Sequence, residues 1–122
     1  MFDLSTEEAQ LLLETGLMAI GQNRFKSAMK ILMALEQYRP GHESLDVAKV
    51  ILCLSQFQGK IALEFLDNEA LPRHPDSRML KAFRCMALIQ LQRGEEAKPA
   101  LWELQNGDDN AADLAKGMLE NF

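Results

Sequence analysis

The sequence predicts an all-α fold, organised as a TPR-like right-handed stack of three helical hairpins plus a C-terminal capping helix. Two sets of residues recur at intervals of 34 and 35 positions: Ala28, Ala62 and Ala97, and Leu32, Leu66 and Leu101. Pro40 is likewise followed by Pro75 after 35 residues. A period of about 34 residues made of helix–turn–helix units is typical of tetratricopeptide (TPR) repeats.

Length and composition indicate a single TPR-like domain over residues 1–122. The hydrophobic content of 48% with 25% charged residues is ordinary for a globular protein. The net charge of −5, with basic residues scattered singly, argues against nucleic acid as a partner. The longest apolar run, Val50 to Leu54, is far shorter than the roughly 20 residues of a membrane span. We therefore expect neither nucleic acid nor a membrane as partner.

The N-terminus and the cysteines favour a cytoplasmic location. The opening stretch, MFDLSTEEA, is acidic and lacks the basic and apolar regions of a signal peptide. Cys53 and Cys85 lie within apolar helices, which suggests reduced thiols rather than a disulfide framework.

The first hairpin is expected over about residues 6–40. Ser5 and Glu8 have the spacing of a capping box at the start of a helix that runs from about Thr6 to Ile20. Gly16 costs helix stability, so its presence predicts close approach of the partner helix. That partner helix covers roughly Arg24 to Tyr38.

The second hairpin is expected over about residues 43–72. Its first helix is apolar most of the way round, with a narrow polar strip of Asp46, Lys49 and Gln56. Its second helix is short and ends near Ala70, before a loop, LPRHPDS, that carries two prolines.

The third hairpin is expected over about residues 76–106, and the cap over 110–122. Asp76 or Ser77 can cap its first helix, and Gly94 is expected to end that helix. The second and third hairpin turns are expected to be about two residues shorter than a TPR turn.

No pattern in the chain points to an enzyme, a metal or a cofactor. His42 and His74 lie beside the inter-repeat prolines without suitable metal-ligand partners nearby, so we interpret both as turn residues. Acidic pairs such as Glu7–Glu8 sit at helix starts, where they favour the helix dipole and capping explains them better than catalysis.

The first helices of TPR hairpins line a concave groove that such solenoids use for binding. The register set by Ala28 predicts that ten residues line it: Leu13, Leu17, Ile20, Val47, Ile51, Leu54, Met79, Ala82, Met86 and Ile89. A shifted register would bring in Ala48, Leu52 and Phe83 instead. Either register gives an apolar groove, which suits the apolar face of an amphipathic helix.

A purely structural interpretation competes with this groove. For any single one of the methionines and leucines, a place in the core is the better explanation. For the whole set it is not, because three short hairpins cannot cover both faces of their first helices.

The whole chain resembles small TPR-like chaperones of bacterial type III secretion, the YscG/PscG class, which are related to Hrp-type secretion proteins. The stretches that carry the resemblance are GLMAIGQNRFKSAMKILMALEQYRP, QFQGKIALEFL and the closing DLAKGMLENF.

The resemblance implies a function and two partners. Members of the class hold the needle subunit in the bacterial cytoplasm, together with a small helical co-chaperone, as a heterotrimer. The groove would bind the amphipathic helix of the needle subunit and prevent premature polymerisation before export. Leu11 and Leu12, near the outer side of the first hairpin, are the candidate co-chaperone surface. A general TPR adaptor for another protein and a scaffold that self-associates when unliganded remain alternatives.

Overall fold

The computed structural model describes residues 5–122, so Met1–Leu4 of the opening stretch lie outside the described residues. Within the described range the chain forms helices and no strand, which confirms the all-α prediction. The helices are α1 (Thr6–Gly21), α2 (Phe25–Tyr38), α3 (Glu43–Ser55), α4 (Gly59–Phe65, continued by Leu66–Ala70 and Leu71–Arg73), α5 (Arg78–Gln90), α6 (Gly94–Leu104) and α7 (Asn110–Leu119).

The helices pack in the order of the chain. α1 packs against α2, and α3 packs against both of them. α5 then packs against α3 and α4, while α7 contacts both helices of the pair α5 and α6. The chain therefore forms three consecutive hairpins followed by one further helix, and the specific superhelix of TPR proteins stays a prediction.

Residues at equivalent repeat positions are buried to the same degree. The three alanines of the repeat have no exposed surface, and the three leucines are at most 1% exposed. Small side chains at Ala28, Ala62 and Ala97 let the second helix of each hairpin come close to the first. Gly16 serves the same purpose on α1, since a Cβ atom there would lie 3.3 Å from Cγ2 of Ile31.

The three hairpin turns have equal length, contrary to the expectation that the second and third are short. In each turn the last amide donates to the carbonyl five residues earlier: Arg24 to Ala19 (2.8 Å), Gln58 to Cys53 (2.9 Å) and Arg93 to Leu88 (2.8 Å). The preceding residue has a left-handed backbone: Asn23 (φ 61°), Phe57 (φ 58°) and Gln92 (φ 63°). This is the Schellman motif, repeated three times. The expectation that Gly94 ends a helix is wrong for the same reason, because Gly94 begins α6 after this turn.

The start of α1 is capped as predicted. Ser5 Oγ accepts from the amide of Glu8 at 3.1 Å, and Glu8 Oε1 accepts from the amide of Ser5 at 3.1 Å. These hydrogen bonds lower the pKa of Glu8 because they favour its charged form. Ser77, rather than Asp76, caps α5 by accepting from the amide of Leu80 at 3.2 Å.

Helix α4 is longer than expected, because Leu71–Arg73 are helical rather than part of a loop. Pro72 has no amide to donate back to the preceding turn. The helix contains a π-helical turn over Leu66–Ala70, in which the amide of Leu71 donates to the carbonyl of Leu66. The wider turn carries the helix past the proline, and this positions Arg73.

Asp46, one of the three residues of the polar strip expected on α3, is fully buried. Arg73 donates to both carboxylate oxygens of Asp46, at 2.8 and 3.2 Å. His74 Nε2 lies 3.4 Å from the same carboxylate and 2.8 Å from the carbonyl oxygen of Gly41. This cluster joins the loop after α2 to the loop after α4.

The buried side chains form two clusters. One lies in the first hairpin and α3, and the larger one extends from α3 to α7. Ile51 packs against both clusters and so connects them. In the described part of the chain no helix combines the length and the apolar character needed to cross a bilayer.

Candidate protein-binding surface

Most of the predicted groove residues are neither exposed nor fully covered. We call the half-buried ones the inner strip: Leu13, Leu17, Val47, Ile51, Leu54, Met79, Met86 and Ile89. All of them pack against one of the two core clusters. Each therefore contributes to the fold with one side and leaves the other side partly exposed.

Two predicted groove residues belong to the core instead. Ile20 is 4% exposed and Ala82 has no exposed surface. Ile20 lies at the end of α1, where the hairpin turn brings α2 closest. Ala82 is a small side chain covered by its neighbours in the larger cluster. Neither side chain is accessible to a partner in this conformation.

The shifted register is wrong. Ala48, Leu52 and Phe83 are 1%, 3% and 8% exposed, so all three lie inside the core. Because the hairpin turns are equal in length, the register set by Ala28 carries over unchanged, and Leu17, Ile51 and Met86 occupy equivalent positions.

Two similar ion pairs link consecutive hairpins. Lys49 on α3 contacts Glu36 on α2 at 2.7 Å. Thirty-five residues later, Arg84 on α5 contacts Asp67 on α4 at 2.7 Å. The carboxylate raises the pKa of Arg84 by hydrogen bonding to its charged form. Each pair links a first helix to the preceding second helix.

A small cavity lies beside Leu13 of the inner strip, at the end of the first hairpin opposite its turn. It has a volume of about 100 Å³, and its lining includes Ala9, Leu13, Leu35, Arg39 and His42. The cavity can hold one small apolar group of a ligand, but not a complete large side chain.

The two residues of the expected co-chaperone surface have different environments. Leu11 is 63% exposed, whereas Leu12 packs against the first core cluster. Leu12 therefore contributes mainly to the fold. Met18, seven residues after Leu11 on α1, is 64% exposed. Leu11 and Met18 lie on the same face of the helix, so they extend this surface.

The described residues contain no group of three or more His, Cys, Asp or Glu side chains arranged to hold a metal ion. Cys53 and Cys85 are free thiols. Burial raises the pKa of Cys53, and raises that of Cys85 to about 11. Both are therefore protonated at neutral pH, which is the unreactive form of a cysteine.

Sequence reasoning missed one surface, at the turn of the second hairpin. Phe57 is 85% exposed and has a positive φ, which is a true outlier for a bulky residue and costs on the order of 1 kcal/mol. The signal available in the sequence was a lone aromatic residue between polar ones, in SQFQG.

Comparison of the chain with protein-family models, with curated proteins and with solved structures finds no match.

Proposed function

We propose that this chain is a TPR-like chaperone of type III secretion that binds the needle subunit in the bacterial cytoplasm. In this proposal the inner strip holds the amphipathic helix of the needle subunit and keeps it from polymerising before export. The observation that carries the proposal is the row of half-buried apolar side chains on the three consecutive first helices. The resemblance of the first hairpin to the YscG/PscG class gives the partner.

The spacing of the inner strip suits a helical ligand. Val47, Ile51 and Leu54 on α3 follow one another at intervals of four and three residues, and Met79, Met86 and Ile89 on α5 follow at intervals of seven and three. An amphipathic helix offers apolar side chains at the same intervals, so the two faces can interdigitate. Met79 and Met86 add flexible side chains that adapt to the shape of a ligand.

Binding of this kind would prevent assembly by mass action. A needle subunit whose helix is buried against the chaperone cannot use that helix for polymerisation, and the free subunit concentration falls accordingly. A small helical co-chaperone would complete the heterotrimer by covering the exposed face of α1 that contains Leu11 and Met18.

Charged substitutions in the inner strip test the proposal. Met86→Asp places a carboxylate in the middle of the strip, and Met79→Asp places one in the first turn of α5, where the helix dipole favours it. Ile51→Asp is a poorer choice because Ile51 packs against both core clusters. Trp102→Asp is the matched control, since Trp102 is a large apolar residue on α6 that is 59% exposed and lies outside the strip.

Each variant is co-expressed with the candidate needle subunit, and its helical content is measured by circular dichroism. We expect both strip variants to remain helical and to lose the needle subunit, while the Trp102 variant retains it. Normal co-purification of both strip variants would rule the inner strip out. Equal capture of unrelated amphipathic helices would favour a general adaptor, and a dimer of the free chain in size-exclusion chromatography would favour a self-associating scaffold.

A further inference from the structure

The turn of the second hairpin contains a residue that the fold does not need. Phe57 occupies the left-handed position of its Schellman turn, where glycine is the residue that fits without strain. Its side chain is 85% exposed, so it gains almost nothing from packing. Asn23 and Gln92 fill the equivalent positions of the other two turns with polar side chains. Backbone strain without a packing benefit is most often found at functional sites.

The surface beside Phe57 is apolar. A shallow groove of about 300 Å³ lies between the start of α2 and the second turn, lined by Phe25, Met29 and Gln56. Phe57 directly follows Gln56, which lines this groove. Met29 is 46% exposed, and Ile61, the third residue of α4, is 52% exposed. We call the partly or largely exposed apolar residues around the first two turns, Phe25, Met29, Phe57 and Ile61, the turn patch.

The turn patch includes a groove lined by basic residues and has further basic residues next to it in the sequence. Lys26 and Lys30 line the groove itself, and Arg24 and Lys60 flank it in the sequence. No acidic residue occurs between Glu14 and Glu36. The expectation of singly scattered basic residues is therefore wrong at this end of the molecule.

These basic side chains form no salt bridge with any residue in 5–122, unlike those of the third turn. There Arg93 contacts Glu96 at 2.6 Å and Lys98 contacts Glu95 at 2.9 Å. Among the described residues, the positive charges at the first two turns thus form no ion pair, although the net charge of the chain is −5.

We propose that the turn patch is a docking site for an acidic amphipathic helix of another polypeptide. Phe57 and Met29 would contact its apolar face, and Lys26, Lys30 and Lys60 would pair with carboxylates along its polar edges. The exposed aromatic ring favours a peptide over nucleic acid, for which the overall negative charge is unfavourable. The site is separate from the inner strip and does not depend on the needle subunit.

The test uses a synthetic peptide of about 18 residues with leucines at helical spacing on one face and glutamates on the other. Its control is the same peptide with lysine in place of glutamate. Binding to the full chain is measured by calorimetry, and the contact surface is mapped by NMR chemical-shift changes. We expect the glutamate peptide to bind, with shifts at Met29, Phe57 and Ile61 rather than at Ile51 and Met86.

Three variants locate the site. Phe57→Gly should weaken binding roughly tenfold or more, as loss of an aromatic anchor does, while raising the melting temperature by a few degrees. Gln92→Gly relieves the same backbone strain at the third turn and should leave binding unchanged. Lys26→Glu should also weaken binding and reduce its salt dependence, whereas Lys116→Glu on α7 should not.

Several outcomes would overturn the proposal. One is equal binding of the lysine peptide, or no binding of the glutamate peptide. Another is unchanged affinity in both the Phe57 and Lys26 variants. Binding to phosphatidylserine-containing vesicles that is lost in these variants would assign the patch to a membrane, and a dimer that Phe57→Gly dissociates would assign it to a second copy. The inner-strip variants test the proposed needle-subunit site, and their result does not affect the interpretation of these peptide-binding experiments.

Discussion

The buried pair of Asp46 and Arg73 offers a sharp test of the fold, because its two members are not equally buried. Asp46 has no exposed surface, whereas more than a third of the Arg73 side chain is exposed. Removing Arg73 therefore leaves a buried carboxylate beside His74, whose Nε2 lies 3.4 Å away. Removing the charge of Asp46 leaves a guanidinium that can turn to water.

This asymmetry sets the expected magnitudes. Arg73→Met should lower the free energy of unfolding by about 3–5 kcal/mol, the usual cost of an uncompensated buried charge. Asp46→Asn keeps the shape of the side chain and should cost only about 1–3 kcal/mol, the value of lost charged hydrogen bonds. The double variant Arg73→Met with Asp46→Leu should recover most of the loss, because an apolar pair replaces the ion pair.

Urea denaturation monitored by circular dichroism gives all three free energies, with unchanged slopes as the sign of an unaltered unfolded state. Arg39→Met is the control, since Arg39 follows α2 and its side chain, among residues 5–122, makes one exposed hydrogen bond, to Thr6. The reasoning fails if Asp46→Asn proves more costly than Arg73→Met, or if the double variant is no more stable than Arg73→Met alone.

Two further predictions concern close packing and burial. Gly59→Ala should destabilise the chain by about 1–3 kcal/mol, since its Cβ would lie 2.9 Å from Gln90 Oε1 and 3.3 Å from the carbonyl of Ala87. Gly21→Ala, whose Cβ would meet nothing within 4 Å, should stabilise the chain by up to about 1 kcal/mol. Equal effects of the two substitutions would contradict this prediction. The raised pKa of Cys85 means that the folded state favours the neutral thiol. The stabilisation from the neutral Cys85 thiol is fully present below about pH 8.5 and is lost as the pH rises toward 11, so the free energy of unfolding should fall over that range. Cys85→Ala should make this fall smaller. A pH dependence that Cys85→Ala leaves unchanged would refute that assignment.

The repeat could be predicted because it depends on side-chain volume. Only small residues fit where two helices of a hairpin approach, so Ala28, Ala62 and Ala97 appear in the sequence at the spacing of the structure. The turn lengths could not be predicted in the same way. The usual signal of a Schellman turn is glycine at the left-handed position, and this chain has Phe57 at one such position and Gln92 at another.

The burial of Asp46 and the path of α4 depend on partners far apart in sequence. Arg73 lies 27 residues after Asp46 and reaches it only because the helix continues through Pro72. A sequence pattern indicates which face of a helix is polar, but not which polar residue finds a distant partner. For this reason the sequence predicts the polar strip of α3 but not the burial of Asp46 within it.

The inner strip was only partly predictable, since periodicity separates apolar from polar faces but not half-buried from fully buried positions. It assigned Met86 and Ala82 to the same surface, although one is half-buried and the other sealed. This limitation also affects how the two proposed surfaces can be tested. A charge at Met86 reduces both packing and binding, so a fall in binding alone can reflect damage to the fold. Phe57→Gly should instead stabilise the fold by about 1 kcal/mol while it weakens binding. A gain in stability together with a loss of binding cannot result from unfolding. Such a result would indicate that Phe57 serves to recognise a partner.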